Sequence, residues 1–204
     1  MTPTIERRVI RAPSLELRAA ADKSPPKLAG YAALFNSASD DLGGFTEVIS
    51  PGAFRNAIPK SDIRALFNHD PNYVLGRNKA GTLDVSEDKR GLAMEVTPPD
   101  IGWVRDLLVS VERGDIDQMS FGFRVAQNGD EWLITDDEVT RTISEVAELY
   151  DVSVVTYPAY PETDVAVRSM DAWKKLHEVV PALPATVQRD IRRRRQKLFD
   201  AMNR

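Results

Sequence analysis

Hydrophobic and polar positions alternate over short distances between residues 27 and 163, as is typical of short strands joined by turns. In one such segment Ile63, Ala65 and Phe67 fall on the same face of a strand. Glycine, proline and an Asp-Lys-Arg turn separate the segments. The strand-like segments are KLAGYAALFN, FTEVIS, DIRALFNHD, VLGR, GTLDVSED, GLAMEVTPP, DQMSFGFRVAQ and the long β-branched stretch that ends in LYDVSVVTYPAY.

Two stretches have a helical pattern instead. In DIGWVRDLLVSVERG, residues 100–114, apolar residues recur at intervals of three and four, which predicts a helix with Asp100 as its N-cap and Gly114 as its end. The segment PGAFRNAI predicts a shorter helix with Pro51 in its first turn.

The two ends of the chain differ from this strand-rich part. Residues 1–26 mix charges, prolines and small residues, and residues after Thr163 have helical patterns that include the basic run QRDIRRRRQKLF. We therefore predict a flexible leader over 1–26, a β-rich α+β domain over 27–167 and a helical basic extension over 168–204.

Composition narrows the function. The chain has 204 residues, 42% of them hydrophobic, which suffices for one domain with a core. It has no cysteine, so cysteine nucleophiles, disulfides and thiolate metal sites are excluded. A net charge of −4 argues against general nucleic-acid binding, and no apolar run approaches the roughly 20 residues of a membrane span. Two histidines at unrelated positions disfavour zinc, and we expect neither a metal nor a cofactor.

The segment QMSFGFR carries a candidate nucleophile. Ser120 alternates with Gln118 and Gly122, while Met119, Phe121 and Phe123 fill the other strand face. A serine hydroxyl needs a base, and His69, at the end of a strand, is better placed for that role than His177 in a charged helical segment. Gly122 would leave room for a substrate backbone. Taken alone, these residues fit an exposed strand serine beside a bulge glycine and a histidine that caps its own turn better than they fit a catalytic pair.

A carboxylate is needed to orient such a base, and the last long strand offers two. By simple alternation Asp151 shares a face with Leu149, Ser153 and Val155, and Glu148 lies on the opposite face. A carboxylate in so apolar a strand needs a partner if it is buried, or it lies on an edge strand that faces water.

Six blocks follow one another along the chain: GYAALFN, EVISPGAF, IRALFNHDPNYVLGR, GLAMEVTPP, MSFGF and LYDVSVVTYPAYPET. In this order they resemble the prohead maturation proteases of tailed bacteriophages, serine peptidases related to the herpesvirus assemblins. The resemblance covers residues 28–164 and implies an assemblin-like closed β-barrel surrounded by helices. It makes His69 the general base, Ser120 the nucleophile and Asp151 the third catalytic residue. Glu148 is the alternative, because the family usually has a glutamate where this chain has Asp151.

The resemblance also implies a function and partners. The expected enzyme works in the host cytoplasm inside the immature capsid, where it cleaves the scaffolding region of the major capsid protein and itself. We expect a homodimer with residues 100–114 as a contact, an oxyanion hole near the backbone of 157–160, and a tail after residue 167 that contacts capsid, scaffold or nucleic acid. A catalytically idle assembly factor and an unrelated β-barrel binding module are the alternatives.

Overall fold

Strands dominate the computed structural model, which describes residues 5–10, 15–18, 26–135 and 138–157, all within one unit of the chain that runs from residue 1 to 167. These residues also contain one α-helix, α1 (Gly102–Glu112), and a short 3₁₀ helix (Asn78–Ala80). The predicted extension over 168–204 lies outside the described residues, as does His177. The strands are β1 (Glu6–Ile10), β2 (Glu16–Arg18), β3 (Lys27–Leu34), β4 (Thr46–Ile49), β5 (Arg64–Phe67), β6 (Asp70–Arg77), β7 (Leu83–Glu87), β8 (Gly91–Val96), β9 (Gln118–Val125), β10 (Asp130–Ile134), β11 (Val139–Ile143) and β12 (Val146–Val155).

Three sheets are formed by these strands. The five-stranded sheet has the order β1-β9-β12-β5-β6, the four-stranded sheet β2-β3-β8-β7, and the three-stranded sheet β10-β11-β4. In the five-stranded sheet β12 lies in the middle, antiparallel to β9 and parallel to β5. The strands that carry Ser120 and Asp151, β9 and β12, are therefore neighbours, and β5, which leads into His69, lies on the other side of β12.

One hydrophobic core joins residues of all three sheets and α1. Met119, Phe121 and Phe123 fill the inner face of β9, as the alternation predicts, and are 0%, 1% and 0% exposed. Burial of each such side chain stabilises the fold by roughly 1.5–3 kcal/mol. The predicted helix exists but begins at Gly102, with Ile101 rather than Asp100 at its N-cap. Because the three apolar side chains occupy the core face of β9, Ser120 lies on the opposite face.

The predicted β-rich α+β class is confirmed, but the closed barrel surrounded by helices is not. Within the described residues, β1 and β6 end opposite sides of the five-stranded sheet, and no ladder joins them. The short helix predicted at Pro51 is wrong: residues 51–60 form successive turns. Gly52 has φ +90°, which lies outside the helical region and interrupts a regular helix at its start.

Two parts of the predicted flexible leader are strands of the domain. β1 pairs antiparallel with β9, with Val9 opposite Ser120, and β2 pairs with β3. The leader prediction is wrong for these residues. In β1 the charged side chains of Glu6 and Arg8 are buried with partners inside the protein, whereas Glu16 and Arg18 of β2 stay exposed and β2 joins the sheet through its backbone. Arg8 is only 6% exposed.

A buried ion cluster holds β1 against the three-stranded sheet. Arg8 donates hydrogen bonds to both oxygens of Glu47, at 2.7 and 2.9 Å, and to Glu6 at 2.7 Å. Arg141 donates to Glu6 and Asp130 at 2.7 Å and to Glu47 at 3.0 Å. Burial lowers the pKa of the Arg141 guanidinium, but the neighbouring carboxylates raise it further, so that it stays charged.

Candidate active site

A two-residue turn between β5 and β6 carries His69. Asn68 and His69 have φ values of 52° and 57°, and Phe67 pairs with Asp70 on either side of them. Two successive positive φ angles are typical of the tight hairpin turns that suit twisted strands, and asparagine and histidine tolerate this region better than most residues. Asn68 also anchors the turn to the end of β12, because its Oδ1 accepts the backbone N–H of Thr156 at 2.9 Å. His69 is thereby held at a fixed place beside β12.

Ser120 lies on the face of β9 opposite the aromatic residues and has no exposed surface. Its partner on β12 is Ser153, and Gly122 is the partner of Asp151. A Cβ at Gly122 would overlap Asp151 Oδ2. The space beside this glycine is therefore filled by a carboxylate, and the expectation that a substrate backbone uses it is wrong.

A β-bulge in β12 turns Asp151 towards Ser120. Leu149 pairs with Phe123 and is fully buried in the core, but Asp151 pairs with Gly122, and the ladder is shifted between these two pairs. Tyr150 is the extra residue. The alternation that placed Leu149 and Asp151 on one face is wrong here, because one inserted residue reverses the facing of all residues beyond it.

His69, Ser120 and Asp151 form a continuous hydrogen-bonded chain. His69 Nδ1 lies 2.6 Å from Asp151 Oδ1, and His69 Nε2 lies 2.6 Å from Ser120 Oγ. A carboxylate only accepts hydrogen bonds, so in the neutral imidazole Nδ1 carries the proton and Nε2 accepts from the serine hydroxyl. This arrangement can move the hydroxyl proton to the imidazole.

The three hydrogen-bonded residues are largely shielded from solvent. The side chains of His69 and Asp151 are 8% and 9% exposed. Hydrogen bonds are electrostatically stronger at such a site than in water, because the local dielectric constant is lower. Since Ser120 has no exposed atom, a peptide bond can reach it only after the atoms that cover it move.

Glu148, the alternative third residue, lies elsewhere. Its Oε2 accepts the hydroxyl of Tyr150 at 2.9 Å and lies 3.5 Å from Arg124 Nη2, and its side chain is 43% exposed. Burial and the hydrogen bond to Glu148 raise the pKa of the Tyr150 hydroxyl. Glu148 thus belongs to a surface group with Tyr150 and Arg124.

Sequence reasoning missed two residues that support the site, Asn68 and Ser153. Ser153 is fully buried, and its Oγ donates to Asp151 Oδ1 at 2.5 Å. Asn68 could have been found from its place before His69 in a tight turn. Ser153 shares the predicted alternation with Asp151, but nothing in the sequence shows where its hydroxyl points.

No group of three or more His, Cys, Asp or Glu residues that could hold a metal ion is found in the described part of the chain. Within the same residues, α1 is too short and polar to cross a membrane, and no other helix qualifies. The backbone of residues 158–160, proposed to contribute the oxyanion hole, lies outside the described residues.

The sequence profile of the caudovirus prohead serine proteases matches residues 13–176, which is most of the chain. The chain belongs to this family and is a serine protease, which confirms the resemblance found in its sequence blocks. The fold is similar to that of the bacteriophage T4 capsid assembly protease, with a TM-score of 0.52 and 11% identity over 78% of this chain and 100% of that one. No curated protein matches the sequence.

Proposed function

We propose that this serine protease cleaves the scaffolding region of the major capsid protein, and itself, within the immature capsid of a tailed phage. The observation that carries the proposal is the pair of 2.6 Å contacts that link Ser120 Oγ to His69 and His69 to Asp151. Family membership supports the reaction, and the similar T4 protein acts in capsid assembly.

Ser120 is the proposed nucleophile. Its Oγ attacks the scissile carbonyl carbon while His69 Nε2 accepts the hydroxyl proton, which gives a tetrahedral intermediate. When the C–N bond breaks, Nε2 returns this proton to the leaving amine, and an acyl-enzyme remains. Water then attacks the ester carbonyl while His69 Nε2 accepts one of its protons. When the bond between the acyl carbon and Ser120 Oγ breaks, Nε2 gives this proton to Oγ, and the carboxylic acid is released with the serine hydroxyl restored.

Asp151 is the proposed third catalytic residue. It holds the imidazole in the tautomer that leaves Nε2 free to accept, and its negative charge stabilises the imidazolium that forms during attack. The 2.6 Å contact to Nδ1 supports this role for Asp151, and the partners of Glu148 argue against that residue.

The partners follow from the same proposal. The major capsid protein and its scaffolding region are the substrates, and the protease reaches them by being enclosed with them. A homodimer with α1 as a contact stays a prediction. A tail after residue 167 that binds capsid or scaffold, with nucleic acid as the alternative, also stays a prediction.

Co-expression with the capsid protein of the same phage tests the proposal. Wild-type protein should shorten the capsid protein on a gel, and Ser120→Ala should abolish the shortening, a loss of about 10⁴-fold or more. Ser86→Ala is the matched control, since Ser86 is an exposed strand serine in β7. Trimming by Ser120→Ala would disprove the nucleophile assignment. Absence of trimming by the wild type would favour a catalytically idle assembly factor.

A further inference from the structure

Ser153 is a buried hydroxyl for which the proposed mechanism has no use. It lies in β12 directly opposite Ser120 of β9 and has no exposed surface. Within the described residues, Ser153 Oγ makes no hydrogen bond to Ser120. It donates instead to Asp151 Oδ1, two residues earlier in the same strand, at 2.5 Å.

Asp151 Oδ1 therefore accepts two hydrogen bonds at once. One comes from His69 Nδ1–H at 2.6 Å and the other from the Ser153 hydroxyl. The other oxygen, Oδ2, lies where a side chain of residue 122 would begin, so the absence of a Cβ at Gly122 makes room for it. The carboxylate is thus confined on both sides.

Such confinement matters because the terminal torsion of an aspartate is soft. Rotation about this bond has broad, roughly two-fold minima, so a carboxylate with one partner can exchange its oxygens or tilt away from the imidazole. A second short hydrogen bond to a charged acceptor favours one orientation. In this site the favoured orientation points Oδ1 at His69.

Ser61 provides an internal comparison, because it is a second buried serine that contacts the same strand. Its Oγ accepts the backbone N–H of Leu149 at 3.1 Å, and it is 5% exposed. That bond satisfies a backbone donor of β12 and touches none of the three candidate catalytic residues. Ser153 differs because its proton goes to the group that contacts the base.

We propose that Ser153 is a positioning residue of the protease, which holds the Asp151 carboxylate in the orientation that orients His69. This inference rests on the proposed function of the site. Ser153 would touch neither the substrate nor the reacting atoms, and it would act by keeping Nδ1 protonated and Nε2 directed at Ser120.

Four variants of the full-length chain separate the hydroxyl from the volume of the side chain. Ser153→Ala removes the donor, Ser153→Thr keeps it, and Ser153→Val has nearly the shape of threonine without it. Ser61→Ala is the control at the other buried serine. Thermal unfolding of each variant shows that it folds, and the threonine and valine pair remains comparable if added volume lowers the stability of both.

The first measurement is the initial rate at which purified protein trims the purified capsid protein of the same phage. Loss of a hydrogen bond to a charged group should slow Ser153→Ala by about tenfold or more. Ser153→Thr should be faster than Ser153→Val by about the same factor, and Ser61→Ala should match the wild type after correction for the folded fraction. A rate of Ser153→Ala equal to that of the wild type would overturn the inference, as would equal rates of the threonine and valine variants.

The second measurement does not depend on proteolysis. The His69 Nδ1 proton in a short hydrogen bond to a carboxylate should give a far-downfield proton resonance, and His177→Gln leaves His69 as the only histidine, since the chain has two. We expect the resonance to shift or broaden in Ser153→Ala and to persist in Ser153→Thr and Ser61→Ala. An unchanged resonance in Ser153→Ala overturns the positioning role even if the enzyme trims capsid protein. Absence of trimming by the wild type would instead overturn the proposed function, and the catalytic part of this inference with it.

Discussion

Two groups of polar side chains are buried beside β9, and they are built differently. The ion cluster of Glu6, Arg8, Glu47 and Arg141 is a closed net, in which each guanidinium binds several carboxylate oxygens. The chain of Ser120, His69 and Asp151 is a line with one bond at each step. The arginines of the net can only donate hydrogen bonds, whereas the neutral imidazole at the centre of the line donates with one nitrogen and accepts with the other. Burial of polar groups alone therefore does not distinguish a structural group from a candidate catalytic one, but the order of donors and acceptors does.

The largest effect on the trimming rate should come from removing the carboxylate of Asp151, which ends the line of hydrogen bonds. We expect Asp151→Asn to lower the rate of capsid-protein trimming by about 10⁴-fold, because an amide favours the wrong imidazole tautomer. Glu148→Gln should change the rate by less than about threefold, since Glu148 lies with Tyr150 and Arg124 at the surface. Trimming rates of the two purified variants check this prediction, and an equal or greater loss in Glu148→Gln would contradict it.

Removal of an arginine from the ion cluster should lower the stability of the fold and leave the proposed catalytic residues in place. Arg141→Met leaves the buried carboxylates of Glu6 and Glu47 without one of their two cations, which should lower the free energy of unfolding by about 3–5 kcal/mol. Arg113→Met is the control, because Arg113 is 70% exposed and its ion pair with Asp115 lies at the surface. Urea unfolding measures both. Equal stability of the two variants would show that the net contributes little.

A smaller effect is expected at Gly122, whose backbone lies against the Asp151 carboxylate. Gly122→Ala places a Cβ against Asp151 Oδ2 and should slow trimming by roughly ten- to hundredfold through displacement of the carboxylate. Gly102→Ala is the matched control, since a Cβ there meets nothing within 4 Å. Trimming rates and melting temperatures together distinguish a displaced carboxylate from a misfolded chain. A rate of Gly122→Ala equal to that of Gly102→Ala would mean that Asp151 adjusts without loss.

The smallest expected effect is the acid sensitivity of the net. Burial raises the pKa of the Glu6 carboxyl, but hydrogen bonds and the charges of Arg141 and Arg8 lower it further, so that it falls below its ordinary value. A group with a depressed pKa in the folded state contributes stability above its unfolded pKa, and this is lost as the pH falls through the folded pKa. Glu6→Gln should therefore be less stable than the wild type at neutral pH but lose less stability on acidification.

Urea unfolding of both proteins at about pH 7 and about pH 3 measures this difference. Glu131→Gln serves as the control, because Glu131 is an exposed strand residue. Parallel pH dependence in Glu6→Gln and the wild type would show that Glu6 is not linked to acid unfolding.

The sequence predicted the family through six ordered blocks that resemble the prohead proteases, and two local constraints favoured Ser120 and His69 as candidate site residues. The aromatic alternation in β9 left one face for Ser120, and a chain with two histidines offered few bases. Asp151 was harder, because Glu148 was an equally good candidate by residue type. The structure distinguishes the two carboxylates by their partners, since Asp151 contacts His69 and Glu148 contacts Tyr150.

What could not be predicted depends on local irregularity and on long-range pairing. Alternation places Leu149 and Asp151 on one face, and only the inserted Tyr150 separates them. The strand ERRVI was assigned to a leader because its charges are typical of a solvated segment. In the structure Arg8 is buried with a partner 39 residues away, and Glu6 with a partner 135 residues away. No pattern within a short window contains that information.

The pairing of β1 with β9, the strand of Ser120, limits where the proposed self-cleavage could remove residues near the N-terminus. A cut before Glu6 would leave the strand and its ion pairs in place, and the trimmed enzyme would keep the edge of β9 covered opposite Ser120. Removal of the chain through Ile10 would instead expose that edge and take away the partners that Glu47 and Arg141 have on β1. If the proposed self-cleavage removed β1, we therefore expect the enzyme to lose activity, so the position of such a cut would decide whether it trims the protease or inactivates it.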